Sequence, residues 1–316
     1  MTSAPNGGVL CSGAVIYDTL VYPVDEAPWG TTTFVEMIEP HLGGNAGNTS
    51  IALAAIGIHV RVAAYVGRDE PGRFLIDRLQ RAGVDTRAIV TVDARTAATI
   101  AIVNRAGNRK FLHRLGAHEI AFAEPIDFIN GIAEGMAHYH LASLFLLPRL
   151  RAHASETLRR ARAAGLSTSL DTNWDAEGRW LADLGPCLEH LDLLFINEDE
   201  ARMTAGTSDP AVAGPFFVKR DVGTAIMKLG ARGCAIYTRD GELSCPAFDV
   251  EAKDTTGAGD CFVAGFLAAR LRGASLADAG HFANAVAALN VQQVGGSAGV
   301  RSSAEVQAWM RTAKLR

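Results

Sequence analysis

The sequence predicts an α/β protein, a mainly parallel sheet flanked by helices and carrying a small β appendage. Three observations predict it. Beyond residue 126, short apolar runs alternate with segments of helical periodicity, the pattern of βαβ units. The chain has 316 residues, 48% of them hydrophobic, enough for one large core. Two stretches, near residues 19–40 and 95–115, interrupt the alternation with strand-like pieces, prolines and a hairpin turn. With no Pro/Gly/Ser linker and no internal repeat, residues 1–316 read as a single domain, the appendage coming from those two stretches.

Residues 9–17 read as a buried strand. Residues 20–38, rich in Thr, Val, Tyr and Phe and broken by Pro23 and Pro28, read as short exposed strands and turns. Residues 48–56 are small and apolar, suited to a tightly packed helix; 60–66 form a strand; 70–82 form a helix with Phe74, Leu75, Ile76 and Leu79 inward. Strands at 97–104 and 110–115 flank the turn Arg105-Ala106-Gly107-Asn108. Strands follow at 138–142, 167–171, 192–196, 224–229 and 235–238. Helices are expected at 148–164, from 198, and at 257–271, 275–290 and 302–311.

Composition narrows the function. Thirty Lys and Arg face 34 Asp and Glu, a net charge of −4, and neither sign runs in blocks, which excludes the footprint of a nucleic-acid or membrane-surface binder. No apolar run approaches the roughly 18–20 residues of a membrane span, and the polar segment from Met1 to Gly8 lacks Lys and Arg, so a soluble, unprocessed protein is expected. Cys11, Cys187, Cys234, Cys245 and Cys261 form no CxxC pair and have no His at zinc-ligand spacing, which fits a reducing cytoplasm. The partner expected is a small molecule. Glycine, at 32 residues, exceeds the roughly 7% of average usage, so where the glycines sit matters.

Asp254-Thr255-Thr256-Gly257-Ala258-Gly259-Asp260 precedes an apolar run and places a small, flexible turn at a helix N-terminus. Free N–H groups and the positive end of the helix dipole favour an anion there, and Gly257 and Gly259 let it approach the backbone. Asp260 has two readings on these residues: a helix cap, or a base that takes a proton from a hydroxyl attacking a phosphoryl group. P-loop, G-x-G-x-x-G and protein-kinase motifs are all absent from the sequence.

The stretch from Asp254 to Phe266 resembles the C-terminal signature of the PfkB, or ribokinase-like, carbohydrate kinase family. Gly43-Gly44-Asn45-Ala46-Gly47-Asn48 resembles its N-terminal glycine-rich signature, in the expected order. The resemblance implies a three-layer α/β/α sandwich with a mainly parallel central sheet and a small β-sheet lid, which suits the appendage. It implies transfer of the ATP γ-phosphoryl group to a hydroxyl. In its light Asp260 matches the catalytic base, and Gly257, Ala258 and Gly259 the anion hole. Gly43, Gly44 and Asn48 match the sugar side, where absent Cβ atoms let a ring lie close and Asn48 offers a donor and an acceptor. Asp18 matches the sugar-binding carboxylate. Asn45 stands where ribokinases proper carry Lys, a departure that touches ribose specificity.

Asn197 and Glu200 match an N-x-x-E motif that acts through water around Mg²⁺, and equally fit a helix capping box. Lys228, Gly230 and Gly233 resemble the nucleotide-side turn, and Asn284 a position that contacts adenine. Asp254, Thr256 and the Gly295-Gly296 turn resemble a monovalent-cation site for K⁺. Asp171-Thr172-Asn173 with Trp180 resembles a segment of sugar and sugar-acid kinases. The expectation is an ATP- and Mg²⁺-dependent kinase of a sugar or sugar acid, acting on a primary hydroxyl and dimerising through its lid. The alternatives are a nucleoside kinase and a non-catalytic sugar or nucleotide sensor.

Overall fold

A computed structural model describes residues 7–106 and 108–316. Residues 1–6 and Gly107, within the predicted polar N-terminus and hairpin turn, lie outside the described residues. The chain enters through β1 (Gly8–Ser12) and continues as β2 (Ile16–Tyr22) and β3 (Met37–Gly43). α1 (Asn45–Ile56), β4 (Val60–Gly67), α2 (Glu70–Arg81), β5 (Ile89–Val92), β6 (Ala98–Val103) and β7 (Arg109–Arg114) follow. Next come β8 (Met136–Leu141), α3 (Pro148–Ala163), β9 (Ser167–Asp171), α4 (Leu181–Leu184), β10 (Leu193–Asn197), α5 (Glu198–Ala205) and α6 (Pro210–Val218). β11 (Thr224–Lys228), β12 (Cys234–Thr238), β13 (Gly241–Cys245), α7 (Ala258–Leu271), α8 (Leu276–Asn290) and α9 (Ser303–Met310) complete it.

Nine strands form one sheet in the order β13-β12-β11-β10-β9-β8-β1-β4-β5, parallel from β5 to β11 and antiparallel across β12 and β13. Near-continuous apolar strands such as β1 and β4 are what a sheet covered on both faces requires. One apolar cluster packs α1, α2, α7, α8 and α9 on one face through Leu53, Leu75, Phe266, Val286 and Val306. The other packs α3 to α6 through Leu158, Leu184, Ala201 and Phe217. The fold is therefore the predicted α/β/α sandwich. A separate four-stranded sheet, β3-β2-β6-β7, stands beside it.

Four differences from the sequence reading have local causes. The strand expected over 9–17 breaks at Gly13, where the chain leaves the large sheet for the small one; both halves are apolar, so their pattern conceals the break. The strands expected within 20–38 are instead the longer β2 and β3, paired from Ile16 to Gly43. β5 and β13 are short edge strands with little apolar signal. α6 falls in a stretch to which the sequence reading assigns no element, and it contains Gly214 and Pro215, both poor helix formers. Asp209 caps it through the Ala211 amide, and Phe217 anchors it in the core, so tertiary packing overrides propensity.

One buried charge network fixes the segment that follows β9. Arg151 of α3 donates to both carboxylate oxygens of Asp175 at 2.8 Å, and also to Asp183. Asp175 accepts in addition from the Glu177 and Trp180 amides. Replacing Arg151 by Met would leave a fully buried carboxylate without its cation. Urea denaturation of Arg151→Met should show a loss of about 3–5 kcal/mol, and an unchanged midpoint would refute the role given to this network.

Candidate active site

The order of the large sheet reverses beside β1, with β4 and β5 on one side and β8 onward on the other, and crevices form at the carboxyl ends of strands at such points. Asp171, Asn197 and Lys228 stand at the carboxyl ends of β9, β10 and β11, with Asn197 paired to Lys228 in register.

Asp260 is the third residue of α7 and is only 6% exposed. Its Oδ1 accepts from Asn45 Nδ2 at 2.9 Å and its Oδ2 from Asn48 Nδ2 at 2.8 Å, both donors lying on the first turn of α1. Asn45 is oriented in turn by Asn173 Nδ2 at 2.8 Å and Ser143 Oγ at 3.3 Å, which donate to its Oδ1. Burial pushes the Asp260 carboxyl up to about 7, helped by the charge of Asp171 and opposed by the two amides and Lys228. Asn48 Oδ1 is buried without a partner, and Asn48 lines a cavity of about 470 Å³.

At the helix start the Ala258 amide donates to the Thr255 carbonyl, and the first helical bond runs from Cys261 to Gly257. Among the described residues, the Gly259 and Asp260 amides have no protein acceptor. Gly257 sits at φ 69°, and a Cβ there would meet the Gly296 carbonyl at 1.8 Å, so only glycine fits.

Lys228, matched to the nucleotide-side turn, is largely but not wholly buried, its side chain 13% exposed and its Nζ 2.6 Å from Asp171 Oδ2. Burial works against its charge, but Asp171 and Glu200 outweigh that and raise its pKa. Nζ also lies 3.4 Å from where a Cβ on Gly259 would sit, which puts the ammonium beside the helix N-terminus. Asn197 and Glu200 form the capping box reciprocally, at 2.8 and 2.9 Å. Burial raises the Glu200 carboxyl. Asp171, Glu200 and Asp260 thus gather around a single ammonium, an oxygen-rich and electron-rich place that suits Mg²⁺. Among the described residues no three His, Cys, Asp or Glu side chains form a metal cage, so such an ion would rely on water and ligand phosphates for its remaining bonds.

The cavity beside Asn48 lies under the small sheet. Strand alternation turns Asp18, Leu20 and Tyr22 of β2, His41 of β3, Ala101 of β6 and Phe111 of β7 toward it. Burial pushes the Asp18 carboxyl up to about 6. A Cβ on Gly43 would meet Asp18 Oδ2 at 1.9 Å, so this glycine makes room for the carboxylate, and it also lines the cavity. Gly44 is not among the residues lining the cavity; it carries the turn into α1 at φ 83°. His41 Nε2 is buried without a hydrogen-bond partner, Glu39 lying 3.8 Å away.

A second cavity, of about 350 Å³, opens on the other side of the helix N-terminus and is lined by Lys228, Gly230, Gly233, Gly259, Phe262 and Asn284. The Asn284 amide donates to the Cys245 and Pro246 carbonyls at 3.0 and 3.1 Å, which leaves its oxygen for a ligand. Of the residues matched to a cation, Asp254 accepts from Arg109, Thr256 and Gly295, while the Thr256 and Gly296 carbonyls accept from Asn290.

The structure thus joins Asp260, Asn48, Lys228 and Glu200 in one charged centre, with Asp18 and Gly43 on one side and Gly230, Gly233 and Asn284 on the other. Sequence reasoning gave no role at the centre to Asn45, His41, Arg109 or Asn290. A usable signal existed for Asp171, since consecutive parallel strands end in Asp, Asn and Lys and a buried Lys requires a carboxylate.

Helix-terminal amides suited to an anion, beside a carboxyl able to exchange a proton near neutrality, are what a kinase of hydroxyl groups requires. A sequence model of the pfkB family of carbohydrate kinases matches residues 8–302, and the chain belongs to that family. It is 32% identical over 256 residues to an ATP-dependent ribose-1-phosphate kinase from Halopiger xanaduensis, covering 80% of this chain and 81% of that protein. Arabidopsis thaliana ribokinase complexed with ribose and ATP superposes with a TM-score of 0.86 over 96% of this chain and 99% of that one, at 22% identity. An E. coli protein described as a ribokinase II, in complex with ATP and Mg²⁺, gives 0.85 over 96% and 99%, at 23% identity. The fold is ribokinase-like.

Carboxyl-carbon NMR of the ¹³C-Asp-labelled protein should show Asp260 titrating near pH 7. In Asn48→Ala its midpoint should rise by about one to two units, the worth of one hydrogen bond to a charged group. A midpoint in the ordinary carboxylate range would refute the electrostatic account.

Proposed function

We propose that the protein transfers the γ-phosphoryl group of ATP to a hydroxyl, in the first instance a primary one, of a sugar or sugar acid. The observation that carries this reading is Asp260, buried behind Asn48 of one cavity and next in sequence to Gly259 of the other, and poised near neutral pH at a helix N-terminus. The sugar would occupy the cavity under the small sheet, which acts as a lid. There Asp18, the unpartnered Asn48 Oδ1 and His41 Nε2 can meet hydroxyls, and Lys253 on the wall suits an acid group. The relatives that act on ribose-1-phosphate or hold ribose support a sugar acceptor.

ATP would lie in the second cavity with its terminal phosphate at the Gly259 and Asp260 amides and Lys228. Asp260 accepts the acceptor hydroxyl proton while these groups stabilise charge on the transferring phosphoryl. Mg²⁺, held through water by Asn197 and Glu200, would neutralise phosphate charge. Residues 1–316 act as one kinase unit in this reading. The outward face of the lid carries Ile38, Ile100 and Leu112, exposed apolar residues fit to pair two copies. Its five free, buried cysteines suit a reducing cytoplasm.

ADP release over a panel of pentoses, hexoses, sugar acids, sugar phosphates and nucleosides tests the acceptor class. Asp260→Asn should lower kcat about 10²–10⁴-fold while thermal stabilisation by ATP survives; near-normal turnover would remove the mechanism. The base works deprotonated and its pKa is raised, so kcat/KM should fall as pH drops below about 7, with the slope of one proton. A profile flat down to pH 5 would count against Asp260 as the base.

A further inference from the structure

The loop that presents the helix N-terminus is held by an ion pair and a set of side-chain and backbone donors. Asp254 Oδ1 accepts from Arg109 Nη2 at 2.6 Å and from the Thr256 amide at 2.7 Å, and its Oδ2 accepts from the Gly295 amide at 2.9 Å. Arg109 also donates to the Thr256 hydroxyl. Burial alone would raise the Asp254 carboxyl, and these donors overcome it, holding it at about 2. Below this pair, the fully buried Asn290 directs Nδ2 to the Thr256 carbonyl at 3.2 Å and the Gly296 carbonyl at 3.3 Å. Its Oδ1 accepts from the Gly299 amide at 3.2 Å.

A monovalent metal ion is held by several oxygens turned toward it and by a carboxylate free to balance its charge; here Arg109 already balances Asp254, and the Asn290 amide competes for the Thr256 and Gly296 carbonyls. The residues do not fit K⁺. We propose that the guanidinium of Arg109, carried on lid strand β7 and backed by the Asn290 amide, replaces a monovalent metal ion, so that the lid itself sets the anion hole. Arg109 is then a positioning residue. It lies 145 residues from Asp254 in sequence, and the loop it grips leads directly into Gly257, whose backbone is wedged against Gly296. The inference rests on the kinase reading only for its rate measurements.

At equal ionic strength, KCl, NaCl and tetramethylammonium chloride should give kcat values within about twofold of one another, and K⁺ activation of about tenfold or more would overturn the proposal. Melting of the protein without substrate should likewise be the same in the three salts. A K⁺-specific rise in melting temperature would overturn it even if no acceptor is found, because this measurement needs no turnover. Arg109→Met should lose about tenfold or more in kcat with little change in KM for ATP, and added methylguanidinium should restore part of the rate. Unchanged kcat in Arg109→Met would sink the role given to the lid cation.

Discussion

The arrangement depends on burying one carboxyl, Asp260, against donors that offset part of the cost of its charge. With no donors, a carboxyl taken out of water would stay protonated at neutral pH; with too many, it would be held ionised and would bind a proton weakly. Here burial is balanced by two side-chain amides and one nearby ammonium, and the balance lies near neutrality. The amides come from the first turn of α1 and the carboxyl from the first turn of α7, so the packing of these two helices is also the alignment of the chemistry. Asn45 is held by Asn173, and the segment bearing Asn173 is tied down by the Arg151 network, which extends the alignment across the sheet.

Charge bookkeeping separates the centre from its surroundings. Asp171, Glu200 and Asp260 share the one ammonium of Lys228, so carboxyls outnumber cations at the carboxyl ends of β9 to β11. Asp254, a few residues earlier on the loop that leads into α7, is neutralised by Arg109. The same residue type therefore sits in two different electrostatic settings within one short stretch of chain. Asp254 is rich in backbone and guanidinium donors and stays ionised, whereas Asp260 is deeper and more poorly supplied.

The glycines act mostly as space. Gly43 leaves room for Asp18, Gly257 for the Gly296 carbonyl, and Gly296 for Asn48, whose side chain would meet a Cβ there at 2.5 Å. A sequence can show that small residues are concentrated in two motifs, but it cannot show that Gly43 yields to a side chain and Gly257 to a carbonyl of the protein itself. Asp260, Asn48, Lys228 and Glu200 each stand out in the sequence by residue type and motif, and the fold brings them close together.

By itself the sequence determined the layered α/β class, the small appended sheet and the two glycine motifs, because periodicity and turn chemistry are local properties that a single chain carries in order. It could not decide that Lys228 is largely buried, that Asn45 and Asn48 grip Asp260, or that Arg109 reaches Asp254. Those pairs are brought together from 57 to 215 residues apart, and each is fixed by sheet order and helix packing. An ion pair or a shifted pKa is a property of what surrounds a group, and only the tertiary structure supplies those surroundings.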